Sequence, residues 1–168
     1  DLLANLSSCR SPQQMLGSVV KKYYAQKLGK KPEELFVVSI MPCTAKKFEA
    51  KRPELQTGES YDVDAVLTTV EAARMLKEAG ICFTELEEEA FDNPLGTGTG
   101  SAVIFAATGG VMESVVRCVS GLAGGDEVGR IDFYPVRGLA GIKSAEVEVS
   151  GRMLRLAVVH GLANAEKL

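Results

Sequence analysis

One cysteine stands between an apolar stretch and a cluster of cations, in the segment SIMPCTAKKFEAKRPE at residues 39–54. The apolar residues Leu35 to Ile40 predict a strand buried on both faces, and Pro42 fixes the backbone after it. A helix that begins at Cys43 or Thr44 would place the thiol at a helix N-terminus, where thiols ionise more readily. Thiolate is the form that ligates soft metals and iron–sulfur clusters. The segment therefore indicates a metal or cluster ligand, with a buried structural cysteine beside a solvated basic face as the alternative.

Composition excludes several other classes of function. The 168 residues carry a net charge of -3, from 19 basic and 22 acidic side chains, and they include no tryptophan. This balance predicts no binding to nucleic acid. No apolar run approaches the ~20 residues of a membrane span, and the start DLLANLSSCRSP lacks the basic residues of a signal peptide. The four cysteines form no Cys-x-x-Cys pair. We therefore expect reduced thiols in a cytoplasmic protein.

Alternating helices and strands are predicted to position the cysteine. Ser11 and Pro12 are typical of a helix start, and apolar residues at helical spacing follow as far as Leu28. Further elements are predicted. They are the strand Asp62 to Thr68, the helix Val70 to Ala79 capped by Thr69, a helix that follows Thr108-Gly109-Gly110 and runs through about Leu122, a turn at Gly124–Gly125, the strand Ile131 to Val136, and a hairpin that turns at Ser150–Gly151. The order predicts a single α/β domain over residues 1–168, a three-layer unit with a mixed, largely parallel sheet and a C-terminal β-hairpin. Ligands of open α/β sheets bind beyond the carboxyl ends of the strands, which is where this cysteine would lie.

Long stretches across the whole sequence resemble the iron–iron (FeFe) hydrogenases. The segment around Cys43 is similar to the second signature motif of that family, and other matching words follow the family's order: NLSSCRSPQQMLG at 5–17, DVDAVLTT at 62–69, IFAATGGVMES at 104–114, VRGLAGIKSAEVEVSG at 136–151 and VVHGLANAEKL at 158–168. The resemblance implies the middle part of the catalytic domain, one lobe of it, which makes dihydrogen reversibly from protons and electrons. The family's other two cysteine motifs have no counterpart in these residues, so the isolated chain is expected to be apo and inactive.

The resemblance also implies a cofactor and a set of site residues. The family's H-cluster is a 4Fe-4S cubane, held by four cysteines and bridged to a two-iron unit with carbonyl and cyanide ligands. Cys43 would be one of the cubane ligands, Lys46 would donate a hydrogen bond to a cyanide, and Ser7 would belong to a proton path. The pocket wall would include Met41, Pro42, Ser11, Gln13, Phe105 and Ala106. Ala106 departs from the glycine that is common in the family. The neighbouring cations Lys47, Lys51 and Arg52 are expected to face solvent or to pair with Glu49 and Glu54.

The implied partners are the remainder of the catalytic domain and an electron carrier, either ferredoxin or a pyridine-nucleotide-linked subunit. One alternative is a hydrogenase-like assembly or sensor protein that binds ordinary iron–sulfur clusters. Such relatives tend to alter the residues after the motif cysteine, whereas residues 44–47 here have the hydrogen-metabolising form. A second alternative is a thiol enzyme that uses Cys43, but the single histidine, His160, is 117 positions away.

Overall fold

The computed structural model describes residues 3–5, 7–98, 100–105, 107–122 and 129–168. The chain forms two compact units, Asp1–Leu95 and Gly96–Leu168. Each unit combines helices with strands, which confirms the predicted α/β class. The interpretation of residues 1–168 as one domain stays a prediction.

The described part of the first unit contains helices and strands in alternation. The helices are α1 (Pro12–Val19), α2 (Ala25–Lys27), α3 (Ala45–Ala50) and α4 (Thr69–Glu78), and the strands are β1 (Val38–Ile40), β2 (Gln56–Thr57), β3 (Ser60–Tyr61) and β4 (Ala65–Leu67). A π-helical turn, Val20–Tyr24, joins α1 to α2. Strands β1 and β4 form a parallel pair, and strands β2 and β3 form an antiparallel pair. Among the described residues, parallel pairing is confined to β1 and β4.

Helix α1 and the turn after it bury their polar and small residues rather than their apolar ones. The buried positions recur about every four residues, at Gln13, Gln14, Gly17, Lys21 and Ala25. By contrast Met15, Leu16 and Val19 are between 43% and 57% exposed. Gly17 explains the choice of face, because a Cβ there would lie 2.6 Å from the carbonyl oxygen of Asp62. The backbone of residues 62–63 approaches so closely that only glycine fits.

Lys21 is 1% exposed, and its burial is compensated by three oxygen partners. Its ammonium lies 2.9 Å from a carboxylate oxygen of Asp64 and donates to the carbonyls of Leu35 and Pro32 over 2.5 and 3.2 Å. The same Asp64 oxygen accepts from the backbone N–H of Val37 over 2.6 Å. A buried ammonium needs such partners, since an unpaired one is strongly destabilising. This group of contacts fixes the point at which β1 begins beside β4.

Strand β1 is shorter and more exposed than its apolar sequence predicts. Phe36, Val38 and Ile40 are 74%, 48% and 56% exposed, and they alternate along the chain, so they share one face. The opposite face carries Ser39, which contacts α1. The prediction of burial on both faces is therefore wrong, because a sheet of two strands here has a helix against one face and no described element covering the other.

Helix α4 begins one residue earlier than predicted. Thr68 rather than Thr69 is the N-cap: its hydroxyl accepts from the N–H of Glu71 over 3.2 Å. The Glu71 carboxylate in turn accepts from the N–H of Thr68 over 2.8 Å, which completes a capping box. The preceding strand is correspondingly short, and before it the carboxylates of Asp62 and Asp64 bind Arg10 and the backbone N–H of Val37.

The described part of the second unit contains α5 (Ser101–Ile104), α6 (Gly110–Leu122) and α7 (Leu162–Ala165), with strands β5 (Tyr134–Pro135), β6 (Ile142–Val149) and β7 (Arg152–Val159). The strands form one antiparallel sheet in the order β5-β6-β7. Strand β5 is shorter than the predicted Ile131 to Val136, although the N–H of Val136 still donates to the carbonyl of Ile142 over 3.0 Å. The core of the unit is made by Val116, Ile131, Ala145 and Val149.

The predicted C-terminal hairpin is confirmed. Ser150 and Gly151 have φ values of 50° and 75°, and two successive positive values define the tight turn that suits the twist of paired strands. Pairing continues from Val149 with Arg152 to Ile142 with Val159. Outward residues on the hairpin include the facing pair Glu146 and Arg155. The predicted turn at Gly124–Gly125 lies outside the described residues.

Candidate functional site

A four-residue loop, 41–44, carries the candidate ligand between β1 and α3. The N–H of Met41 donates to the carbonyl of Leu67 over 2.8 Å, which continues the pairing of β1 with β4 into the loop. The carbonyl of Cys43 accepts from the N–H of Lys46 over 3.3 Å, so the helical turn starts at the cysteine. Pro42 and Cys43 are exposed and Met41 is half-buried. The thiol therefore lies at the carboxyl end of β1, as predicted, and it is accessible.

The two adjacent lysines of α3 point to different partners. The ammonium of Lys46 lies 3.4 Å from Glu49, and the side chain is 29% exposed. The ammonium of Lys47 binds both carboxylate oxygens of Glu71, at 2.5 and 2.6 Å. Together with the backbone N–H of Thr68, this ammonium lowers the pKa of Glu71 to about 2. From the sequence, Lys47 is expected to face solvent or to pair with Glu49 or Glu54; it is partly exposed, and its partner is Glu71 because the N-terminus of α4 brings that carboxylate within reach.

Farther along the same segment the expected pairing does occur. Arg52 donates its Nε–H to Glu54 over 2.8 Å. A backbone hydrogen bond within Glu54 lowers the pKa of that residue, and the contact with Arg52 lowers it further. The pair is exposed and lies away from the loop that carries Cys43, which makes Glu54 a useful control position.

Glu49 is a site residue that the sequence reasoning did not assign. Its carboxylate accepts from the N–H of Ser11 over 3.0 Å and from the Ser11 hydroxyl over 2.7 Å, in addition to its contact with Lys46. Burial raises the pKa of Glu49, but the hydrogen bonds from Ser11 and the charge of Lys46 outweigh it and hold the pKa below its ordinary value. The spacing of Lys46 and Glu49 on one helix was a readable signal. The contact with Ser11 joins residues 38 positions apart and had none.

Gln13 ties α1 to both flanks of the cysteine loop. Its Oε1 accepts from the hydroxyl of Ser39 on β1 over 2.7 Å, and its Nε2 donates to the carbonyl of Lys46 on α3 over 3.4 Å. Ser11, two residues earlier, caps α1 by accepting from the N–H of Gln14. The first unit thus brings Ser11 and Gln13 together with Lys46 beside the loop, although Lys46 is more than 30 residues from either of them in sequence.

The remaining predicted site residues are Ser7, Phe105 and Ala106. Ser7 is exposed in the chain before α1, and its hydroxyl accepts from the N–H of Cys9 over 3.1 Å. Phe105 caps α5 in the second unit and is 41% exposed. Its place in the same pocket stays a prediction, and Ala106 lies outside the described residues. The four cysteines, Cys9, Cys43, Cys82 and Cys118, are free and exposed.

The described part of the chain can supply one of the four thiolate ligands of an iron–sulfur cubane. A cubane needs four thiolates, and no three His, Cys, Asp or Glu side chains in the described part of the chain are grouped to hold a metal ion. Cys43 is an accessible soft donor that can fill one of the four positions. None of the helices in the described ranges has the length and apolar character to cross a membrane.

Comparison with known sequences assigns the whole chain to one family. Residues 1–168 match the family model described as "Iron only hydrogenase large subunit, C-terminal domain". The chain is 48% identical to the NADP-reducing hydrogenase subunit HndD of Solidesulfovibrio fructosivorans, over 100% of this chain and 29% of that protein. It is 46% identical to iron hydrogenase 1 of Clostridium pasteurianum, over 99% of this chain and 29% of that protein. A more distant relative is the cytosolic iron-sulfur assembly component 3 of Mus musculus, at 35% identity over 99% of this chain and 36% of that protein.

Solved structures agree with the sequence match. A structure of the FeFe-hydrogenase HydA, which concerns stepwise assembly of the H-cluster, superposes with a TM-score of 0.81 at 37% identity and covers 99% of this chain and 49% of that one. The apo FeFe-hydrogenase of Chlamydomonas reinhardtii gives a TM-score of 0.80 at 37% identity, with 99% and 49% coverage. The chain spans under a third of the two hydrogenases named first and about half of the solved chains. On this evidence the chain belongs to the iron-only (FeFe) hydrogenase large-subunit family.

Proposed function

We propose that this chain is part of the catalytic domain of an FeFe hydrogenase, which reversibly oxidises dihydrogen and reduces protons at an H-cluster. The observation that carries the proposal is Cys43: a free, exposed thiol at the carboxyl end of β1, within the segment that most resembles a hydrogenase signature. Position and donor chemistry both suit a cluster ligand. Because the chain spans under a third of the Solidesulfovibrio fructosivorans and Clostridium pasteurianum hydrogenases, the other three thiolates are assigned to the remainder of the domain.

Each candidate residue then has a specific task. When bound, the cluster would exchange electrons with the carrier and provide an open metal position for the chemistry of dihydrogen. Cys43 binds the cubane, and Lys46 offers its ammonium to a cyanide of the two-iron unit, since charged donors make the stronger hydrogen bonds. We assign Met41, Pro42, Ser11 and Gln13 to the pocket wall, and the family resemblance alone adds Phe105 and Ala106 to the wall and Ser7 to a proton path. Without the remaining ligands, the isolated chain is apo and inactive.

The relatives favour this proposal over a role in cluster assembly. Identity is 46–48% to the hydrogenases and 35% to the mouse assembly component. The electron carrier is ferredoxin or a pyridine nucleotide, and the NADP-reducing relative supports the second option. A cytoplasmic location is supported by the four free thiols, which a reducing compartment would maintain.

The test is a chimera of the Clostridium pasteurianum iron hydrogenase 1 in which residues 1–168 replace the matching segment. Cys43→Ser should lose the cluster, and Cys82→Ser is the matched control because Cys82 is also free and exposed in the first unit. Iron content, the carbonyl and cyanide infrared bands and hydrogen evolution are measured after maturation. An ordinary cluster without cyanide bands in the unsubstituted chimera would favour the assembly or sensor alternative. Full iron content in Cys43→Ser would exclude Cys43 as a ligand.

A further inference from the structure

Glu49 joins two residues that the proposed function places in the cluster pocket. One oxygen of its carboxylate accepts from the Ser11 N–H over 3.0 Å. The other accepts from the Ser11 hydroxyl over 2.7 Å and lies 3.4 Å from the ammonium of Lys46. The side chain of Glu49 is only 16% exposed, so water competes weakly for these contacts. The carboxylate therefore fixes the start of α1 to the first turn of α3.

The contacts decide which groups remain for the pocket. The hydroxyl proton of Ser11 is donated to Glu49, so Ser11 has only oxygen lone pairs left to offer, and one of these already accepts from Gln14. An ammonium has three N–H donors. With one of them directed at Glu49, Lys46 retains two for another acceptor. Glu49 thus leaves Lys46 as a donor and leaves Ser11 as an acceptor.

We propose that Glu49 is a positioning residue of this pocket: its carboxylate holds the ammonium of Lys46 and the hydroxyl of Ser11 in one mutual arrangement, so that the lysine meets the cyanide in a single orientation. The proposal rests on the proposed function for the identity of the acceptor. The arrangement itself involves only residues of this chain. It can therefore be tested without a cluster as well as with one.

The first experiment measures the arrangement in the 168-residue chain. Lysines are labelled with an amine-reactive ester, and each site is quantified by peptide mass spectrometry. In Glu49→Gln, labelling of Lys46 relative to the exposed Lys51 should rise about two- to fivefold, the range expected on loss of a partly exposed ion pair. Glu54→Gln is the matched control, because it removes an equivalent charge that pairs with Arg52. It should leave the labelling of Lys46 unchanged.

A second variant, Glu49→Asp, tests whether a change in labelling results from misfolding. Glu49→Asp keeps the charge and withdraws it by one methylene, so labelling of Lys46 should rise less than in Glu49→Gln. Circular dichroism identifies any variant that unfolds, and comparison is then restricted to the variant that stays folded. Labelling of Lys46 that matches the native chain in the folded Glu49 variants would overturn the proposal.

The second experiment uses the matured chimera and its infrared spectrum. Glu49→Gln should change the cyanide bands in the same direction as Lys46→Met, and the double variant should add nothing, since Glu49 acts through Lys46. If Lys46→Met changes the bands and Glu49→Gln does not, the positioning role is wrong while the proposed function stands. If neither variant changes them, Lys46 does not contact the two-iron unit and the role of Glu49 in the pocket is excluded with it.

Discussion

Replacing Lys46 by methionine removes the proposed donor to the two-iron unit, and the neighbouring Lys47 provides a matched control. Methionine keeps most of the length and the apolar stem but has no charge and no N–H. A hydrogen bond to a charged group contributes about 1.5–3 kcal/mol. Since 1.36 kcal/mol is a factor of ten, Lys46→Met should lower occupancy of the two-iron unit by roughly ten- to a hundredfold.

Lys47→Met should affect the stability of the fold rather than the occupancy of the two-iron unit. Its partner Glu71 is 44% exposed and Lys47 itself is 38% exposed, so the pair is a surface ion pair that water screens and that contributes little to stability. Glu71 keeps its capping contact with Thr68 when the lysine is lost. A small loss of thermal stability and unchanged occupancy are therefore expected.

Both variants are made in the matured chimera, and hydrogen evolution, the cyanide bands and the melting temperature are recorded for each. Lys46→Met should show the lower occupancy of the two-iron unit. Lys47→Met should show the lower melting temperature if the contact between Lys46 and Glu49 contributes little to folding. Equal activity and equal cyanide bands for the two variants would refute the assignment of Lys46 as the donor.

Three further predictions concern folding and are checked on the 168-residue chain. Gly17→Ala should lower the free energy of unfolding in urea by about 1–3 kcal/mol, because its Cβ would meet the Asp62 carbonyl at 2.6 Å. The control is Gly121→Ala in α6, where a Cβ would meet no atom within 4 Å, and this variant should raise the free energy of unfolding by up to about 1 kcal/mol. Equal effects of the two variants would show that the close approach at Gly17 is absent. The pKa of Glu71 falls from 4.5 to about 2 on folding, so the stability that its carboxylate contributes is complete above pH 4.5 and is lost as pH falls through 2. The difference in stability between the native chain and Glu71→Gln should therefore shrink over that interval. A constant difference would contradict this prediction. Gly151→Ala, at φ 75°, should lower the melting temperature of the hairpin unit at a cost of about 1–2 kcal/mol, and an unchanged melt would argue against the positive φ.

The elements that local chemistry determines could be read from the sequence. The start of α1 at Ser11 and Pro12, the hairpin turn at Ser150–Gly151 and the position of Cys43 after a strand all follow from backbone preferences of single residues. The structure agrees with each of them. Among the candidate site residues, Ser11, Gln13 and Lys46 lie together beside the cysteine loop. The family resemblance identified them, whereas spacing alone did not.

The errors arose where a long-range contact overrides a local pattern. The apolar spacing of α1 favoured burial of Met15 and Leu16, yet the backbone near Asp62 selects the face with Gly17. Lys21 would be expected at the surface from its type, but Asp64 and two carbonyls satisfy it inside the unit. Glu49 was overlooked for the same reason, since its partner Ser11 is remote in sequence. No propensity encodes such contacts.

The anchoring of the cysteine loop has a thermodynamic consequence for metal insertion. Residues 41–44 are held at one end by pairing with Leu67 and bridged across both flanks by Gln13, so their order is established when the first unit folds. Ordering four free residues would otherwise subtract about 1–2 kcal/mol each from the affinity for a ligand. A cluster that binds at Cys43, as proposed, would then meet a loop that is already ordered. The heat capacity change of binding should report burial at the site without the large signature of a chain that folds around its metal.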